Sequence, residues 1–302
     1  MSPPFVYSPR YEVDLGGHVF PTEKYRLIRE SLIAVGACRP EDFVEPEEPK
    51  REDLLLVHTA EYLAELERAR LTPRTIRSEL PVTPPVIAAF RLAAGGSILA
   101  ARLAVEKGIA VHVGGGLHHA FPDHAEGFCF LNDVAIAAKT ALRDGRVKRV
   151  LVVDVDLHQG NGTAAVFQDD DRVYTFSIHQ ENNYPLKARS DFDIGLPDGV
   201  RDEEYLAYLE RHLPEMRDRF APDLVLYVAG ADPFEEDLLG GLRLTREGLR
   251  RRDRLFFETF APRRIPAAVL MAGGYARDLS DTVAIHAQTC LEAIRAFEER
   301  GI

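Results

Sequence analysis

Cysteine is scarce in this 302-residue chain: Cys38, Cys129 and Cys290 stand alone, with no CxxC pair among them. That pattern argues against a disulfide framework and suits a reducing, cytoplasmic setting. Long apolar runs are missing too, since no stretch approaches the ~18 residues of a membrane span. The opening Met1-Ser2-Pro3-Pro4-Phe5 carries neither a basic segment nor an apolar one, so it does not read as a signal peptide. No membrane partner is therefore expected. Positive charge is in deficit: 37 Lys and Arg face 48 Asp and Glu, for a formal net charge of −11. A nucleic-acid footprint needs a basic face, so nucleic acid is not expected as a partner. Arg250-Arg251-Arg252 is the densest basic run; it lies in a helical pattern and reads as a solvated helix face. The acidic balance can favour cationic substrates by long-range attraction.

What is present is the composition of an ordinary globular protein, 46% hydrophobic and 28% charged. Apolar strand-like runs recur at 109–113, 150–155, 173–178, 224–229 and 267–271. Helix-period segments separate most of them. One opens at Pro84-Pro85, runs through Leu103 and stops at Gly108, with proline in the first turn and glycine past the end. Another spans 133–143 and ends at Gly145; others cover 203–220, 245–260 and 280–299. Strand alternating with helix predicts an α/β fold, a mainly parallel central sheet with helices on both faces. No low-complexity linker or repeat divides the chain, so residues 1–302 are read as a single domain. Segments 70–83 and 180–200 read as long surface loops, either functional walls or plain irregularity.

Four polar clusters begin where apolar runs end: Gly114–His119, Asp154–Gly162, Gly230–Pro233 and Gly273–Tyr275. In a parallel sheet these run ends share one edge, where α/β folds place their sites. Strand alternation in Asp154-Val155-Asp156-Leu157-His158 puts two carboxylates and an imidazole on one face. Asp156, His158 and Asp232 offer three N/O ligands to a divalent metal and leave positions open, as a catalytic zinc site requires. Asp154 can accept a hydrogen bond from a nearby histidine. His118 and His119 can take a proton from metal-activated water and return it to a leaving amine. Tyr275, after two glycines, can reach a developing oxyanion. The set reads as metal-assisted hydrolysis of an amide.

The motifs Gly115-Gly116-Leu117-His118-His119-Ala120, Gly127–Asp133, Asp154–His158, Gly230-Ala231-Asp232, Leu239–Thr245 and Gly273-Gly274-Tyr275 occur in the order of a known family. From about Val57 to Ala287 the chain resembles the zinc-dependent histone deacetylases and deacetylase-like amidohydrolases. His158-Gln159-Gly160-Asn161-Gly162 is most similar to the class IV branch and its bacterial relatives. The resemblance implies the arginase–deacetylase fold and hydrolysis of an N-acylated lysine or similar amine to free amine and carboxylic acid. It implies Asp156, His158 and Asp232 as zinc ligands, although the donor types would also accept Fe2+ or Co2+. His119 would be base and then acid, and His118 an electrostatic partner paired with Asp154. Tyr275 would polarise the acyl carbonyl, while Phe128, Tyr184, Gly127 and Gly273 would line the substrate tunnel. A structural K+ or Na+ would sit on Asp154, Asp156, His158, Ser177 and Ile178, with a second cation near Phe167, Asp170, Val173 and Tyr205.

Two departures matter. Asn161 stands where other branches carry an aspartate, so a less basic His119 is expected. The loop around Glu79 shows no clear match to the rim aspartate that anchors peptide backbones, and Glu126 reads as a lone surface residue in preference to a member of an acidic rim such as small-amine amidohydrolases use. A dinuclear arginase-like site is short of carboxylates here, because the position two beyond His158 is Gly160. A catalytically silent acyl-lysine or polyamine reader is the rival outside enzymes. Within enzymes, acetyl-lysine, fatty acyl-lysine and acetylpolyamines all suit the chemistry. Oligomeric state is not legible.

Overall fold

The computed structural model describes residues 2–300. In chain order it holds β1 (Phe5–Val6), α1 (Lys24–Ala34), β2 (Phe43–Val44), α2 (Arg51–Leu54), α3 (Ala60–Glu67), α4 (Pro84–Lys107), β3 (Ile109–His112) and α5 (Asp133–Arg143). There follow β4 (Val150–Asp154), α6 (Asn161–Phe167), β5 (Val173–Gln180), β6 (Phe192–Leu196), α7 (Asp202–Phe220), β7 (Leu224–Ala229), α8 (Arg246–Phe260), β8 (Ala267–Met271) and α9 (Leu279–Glu299). Among the described residues the strands form one sheet in the order β2-β1-β3-β8-β7-β4-β5-β6, with every neighbouring pair parallel.

Every residue of β3, β4, β7 and β8 is buried, which requires cover on both faces of the sheet. α4 packs on α5, while α1, α9, α8 and α7 contact one another in succession. The five apolar runs all become strands, with ends within two residues of expectation. Helix punctuation works as the sequence suggests. Prolines occupy the first turn of α4, Gly108 follows its end at φ +93°, and the Thr245 side chain caps α8 by accepting from Gly248 N.

Three expectations need correction. First, α4 contains an 18-residue window with mean hydropathy 1.5, long and apolar enough to cross a membrane by length and composition. Its alanines and glycines hide this from a search for bulky runs, and 72% of that window is buried inside the protein. Second, segment 180–200 is not all loop: Phe192–Leu196 forms β6 beside β5. Its alternating burial, inward at Ile194 and Leu196, is the mark of an edge strand with one wet face. Third, Arg252 is fully buried, although Arg250 and Arg251 do lie on the surface, paired with Glu247 and Glu203. Successive helix residues differ by about 100° of rotation, so three arginines in a row cannot share one face. Cys38, Cys129 and Cys290 are all buried free thiols.

Candidate active site at the carboxyl edge of the sheet

Because the strands are parallel, β3, β4, β7 and β8 deliver their following loops to the same edge. After β3 the chain turns through glycines at positive φ, and the buried Asp133 carboxylate accepts from Gly116 N (3.1 Å) and Leu117 N (2.6 Å). That clamp sets His118 and His119 over the end of β4. The loops then lock one another. Asp154 Oδ1 accepts from Asp156 N (3.1 Å), and Asp156 Oδ1 accepts from His158 N (2.9 Å). Asp232 Oδ1 accepts from Leu157 N (3.0 Å), and Asp156 Oδ2 accepts from Gly273 N (2.8 Å). A side chain at Gly273 would collide with the Asp232 carboxylate, so this position needs glycine.

Asp156, His158 and Asp232 are buried, and one ligand atom from each lies within 4.8 Å of the others. His158 Nδ1 is 3.1 Å from Asp232 Oδ2 and 3.3 Å from Asp156 Oδ1. Burial, reinforced by Asp156, pushes Asp232 up to about 6. Burial also pushes the neighbouring Asp237 up to about 7, with Asp232 adding to it. Such crowded, desolvated carboxylates around one imidazole nitrogen are short of positive charge, and the N/O donor set suits a divalent metal. The residues therefore fit a mononuclear site.

The alkali-cation groups are only partly free. Asp154 and Ser177 are register partners on β4 and β5, and Ser177 Oγ is engaged with His179 Nδ1 at 2.9 Å. At the second expected site, Asp170 already holds Lys139 Nζ (2.6 Å) and a bidentate Arg172 (2.8 Å), which balance its charge. Lys139 lies over the Phe167 ring, Val173 N donates to Asp170 O, and the buried Tyr205 hydroxyl has no hydrogen-bond partner among the described residues.

His118 and His119 occupy opposite electrostatic settings. His118 Nδ1 is 2.7 Å from Asp154 Oδ2. Burial alone would lower it, but Asp154 and Asp156 outweigh burial and hold it up at about 9. His119 Nδ1 is 2.8 Å from Asn161 Oδ1, a neutral partner. Burial first, then the charges on His118 and His158, drive His119 well below the ordinary histidine value. The two Nε2 atoms are 3.1 Å apart, so His118 is placed to donate and His119 to accept.

Above them a cavity of about 260 Å³ is lined by Glu79, His119, Phe128, His158, Tyr184 and Tyr275, among others. It narrows to an inner space of about 20 Å³ against Asp156, His158, Gly273 and Tyr275. Phe128 stands edge-on to Tyr275 at 5.8 Å, and its backbone N donates to Ser78 O. Gly127 has φ +47°, and a Cβ there would meet Tyr184 Oη at 2.6 Å and His119 Cδ2 at 2.7 Å. Tyr184 faces His119 and His158 across the cavity. Burial keeps the Tyr275 hydroxyl protonated, well above the ordinary tyrosine value. A larger groove of about 370 Å³ lies between the C-terminal halves of α8 and α9, next to the residues that lead into β8 and hence at the opposite edge.

Several contributors were not legible in the sequence. Lys24, fully buried on α1, donates from Nζ to Ala272 O (2.8 Å), immediately before Gly273-Gly274-Tyr275. Burial lowers it to about 8 against the pull of Asp232, Asp156 and Asp237. Asp237 accepts from Tyr275 N (2.7 Å) and so orients that loop. Arg252 donates to Gly230 O (2.7 Å) beneath the β7 loop. Glu126, expected at the surface, is buried: its Oε1 accepts from Asn161 Nδ2 (3.2 Å) and its Oε2 meets Arg77 Nη2 (2.5 Å). Glu79, which matched no motif, stands at the mouth. A signal existed only for Asp237, an acid just ahead of the Leu239-Gly240-Gly241 motif.

Comparison with known proteins agrees with this architecture. The family model "Histone deacetylase domain" matches residues 18–291. An uncharacterized protein of Picosynechococcus is 44% identical over 286 residues, covering 94% of this chain and 95% of that one. Histone deacetylase 2 of Arabidopsis thaliana is 33% identical over 294 residues, covering 92% and 76%. Human histone deacetylase 1 is 28% identical over 295 residues, covering 88% and 60%. The crystal structure of the HDA15 HD domain superposes with a TM-score of 0.80 at 24% identity, covering 99% of this chain and 94% of that one, which shows the shared arginase–deacetylase fold. The chain thus belongs to the histone deacetylase family.

Proposed function

We propose that this protein is a zinc-dependent amide hydrolase that removes a short acyl group from lysine or a similar primary amine. The observation that carries the reading is the convergence, at one sheet edge, of a buried Asp156–His158–Asp232 donor set, the His118–His119 pair and Tyr275. Zinc held by the three donors would polarise the acyl carbonyl and activate water. His119, neutral and with Nε2 toward the site, takes the proton of the attacking water and returns it to the leaving amine. His118, held cationic by Asp154, supplies fixed positive charge where negative charge develops. The Tyr275 hydroxyl donates to the oxyanion, with its loop held by Asp237 and Lys24.

Acyl length follows from volume. The inner space of about 20 Å³ and the adjoining pocket of about 20 Å³ behind Phe20 and Tyr25 each hold little more than one water. An acetyl methyl fits that room, whereas a fatty chain requires Phe20 or Tyr25 to move. Glu79 at the mouth offers an acceptor to a peptide N–H or to the cationic end of a polyamine. The deciding experiment is turnover of lysine peptides carrying acetyl through myristoyl groups, alongside acetylpolyamines, with zinc-loaded protein. Rates that peak at acetyl and vanish in His119→Ala and Tyr275→Phe variants support the reading. Rates that climb with chain length would replace it with a fatty deacylase, and preference for polyamines would reassign the amine. Binding of acyl-lysine without turnover would make the protein a reader.

A further inference from the structure

Behind His119 runs a chain of polar contacts that the reaction scheme does not use. His119 Nδ1 meets Asn161 Oδ1 at 2.8 Å, Asn161 Nδ2 meets Glu126 Oε1 at 3.2 Å, and Glu126 Oε2 meets Arg77 Nη2 at 2.5 Å. We propose that Glu126 is a positioning residue for His119, acting through the Asn161 amide and anchored by Arg77. The inference rests on His119 being the base of the proposed reaction.

An amide has two ends of opposite hydrogen-bonding sense, and nothing in an asparagine itself decides which end faces a neighbour. A carboxylate can only accept. Facing Glu126, Asn161 must therefore present Nδ2 to the carboxylate, which turns Oδ1 toward His119. An acceptor at that position requires the proton of neutral His119 to sit on Nδ1 and leaves the Nε2 lone pair toward the site. The contact with His118 is compatible with this: at 3.1 Å the two Nε2 atoms have room for one proton between them. With the amide reversed, His119 would carry its proton on Nε2 and turn no lone pair toward the site.

Glu126 is built to hold that orientation. Its backbone is pinned on both sides, by Glu126 N to Cys129 O (3.1 Å) and Cys129 N to Glu126 O (2.8 Å). Its side chain is 11% exposed, and the charge is balanced by Arg77 from a turn at the rim (residues 72–78), with His124 Nε2 at 3.5 Å on the same oxygen. The neighbouring Tyr184 hydroxyl is held up by burial and by Glu126. Arg74 O accepts from Ala125 N and Ser78 O from Phe128 N, so the rim turn grips the Glu126 segment at two further points. Asn161 thus carries the influence of a carboxylate one residue removed from the histidine.

The test uses zinc-loaded protein and four variants: Glu126→Leu, Glu126→Gln, Asn161→Asp and the Asn161→Asp/Glu126→Gln pair. Loss of the acceptor in Glu126→Leu should lower kcat about tenfold with KM within about twofold, the size typical of an outer-contact loss. Glu126→Gln should fall between that variant and the parent, because glutamine can accept or donate. Asn161→Asp alone sets two carboxylates against each other. In the pair, the introduced glutamine amide donates to the introduced aspartate, which in turn accepts from His119. Activity should then recover at least about fivefold over Asn161→Asp. Zinc content and Tm are read for every variant, and the conservative pair carries the test if Glu126→Leu fails to fold. Nitrogen-15 NMR of His119 in the zinc-loaded parent should show the proton on Nδ1, and in Glu126→Leu a mixture. Wild-type kcat in Glu126→Leu, no recovery in the pair, or an Nε2-protonated His119 in the parent each overturns the proposal. Because the NMR reading needs no turnover, failure of the proposed amidohydrolase activity would be told apart from failure of this inference.

Discussion

At the floor of the site, Asp154, Asp156 and Asp232 each accept a hydrogen bond from a loop backbone that follows β4, while Asp156 also ties down the loop after β8. At the rim, Glu79 and Tyr184 stand on irregular segments, and Leu186 and Leu238 project into solvent. The floor is rigid because its side chains serve as turn elements for the very loops that carry them. The rim segments are tied instead to one another and to neighbouring loops, by Arg77–Glu126, Phe128 N to Ser78 O and Asn183 Nδ2 to Leu239 O, and carry none of the three acids that brace the floor. Chemistry belongs on the first and selection on the second, since charge development needs fixed dipoles whereas recognition tolerates adjustment.

The comparison breaks most sharply at Asp156. Asp156→Asn removes a charge from the proposed zinc-binding set, and with it one of the two carboxylates that raise His118. Zinc affinity and turnover should each fall by more than about 100-fold, above the range for outer contacts. Equilibrium dialysis and rates at saturating zinc check this, and unchanged zinc affinity would remove Asp156 from the metal set.

An intermediate effect comes from His58, which ties the floor to the segment leading to the rim. Its Nδ1 donates to Phe121 O (3.0 Å) and its Nε2 accepts from Asn132 N (3.0 Å), so it must stay neutral. Burial lowers it from 6.5 to about 4. The unfolded chain then binds a proton that the folded chain refuses. The resulting stability is fully present above pH 6.5 and is lost as pH falls from 6.5 toward 4, by ~3 kcal/mol at the lower limit. Urea unfolding at pH 7 and pH 4.5 should show a smaller loss in His58→Gln than in the parent.

The smallest effect is expected at the exposed rim. Glu79→Gln should raise KM for peptide or polyamine amides by no more than about fivefold and leave kcat unchanged, as an exposed charge contact allows. A kcat loss there equal to that at Asp156 would erase the distinction between floor and rim.

Legibility followed the same division. Asp154, Asp156, His158, Asp232 and Tyr275 stood out because each follows an apolar run, and strand ends at one edge converge whatever the intervening chain does. Phe128 and Gly127 were visible only through resemblance. Lys24, Glu126 and Arg252 carried no signal: a buried Lys, Glu or Arg looks like a surface residue until its partner is known. Lys24 and Glu126 find partners remote in sequence, at Ala272 and Asn161, and Arg252 reaches Gly230 as well as the adjacent Asp253. β1 and β2 were missed because two residues leave no pattern to read, and β6 because Phe192-Asp193-Ile194-Gly195-Leu196 is broken by an acid and a glycine, which leave no apolar run.

By itself, the sequence determined the alternation of buried strands and helices, the parallel sheet that follows from it and the identity of the edge where polar residues gather. These rest on local periodicity and on glycine and proline chemistry, which neighbouring residues alone express. The tertiary structure supplied the distances behind the pairings that the resemblance implied, with Asp154 at 2.7 Å from His118 and Asn161 at 2.8 Å from His119. It also decided the size of the inner cavity and the burial of Glu126. Those properties depend on distances between segments far apart in the chain, and electrostatic and packing energies are set by such distances rather than by residue order.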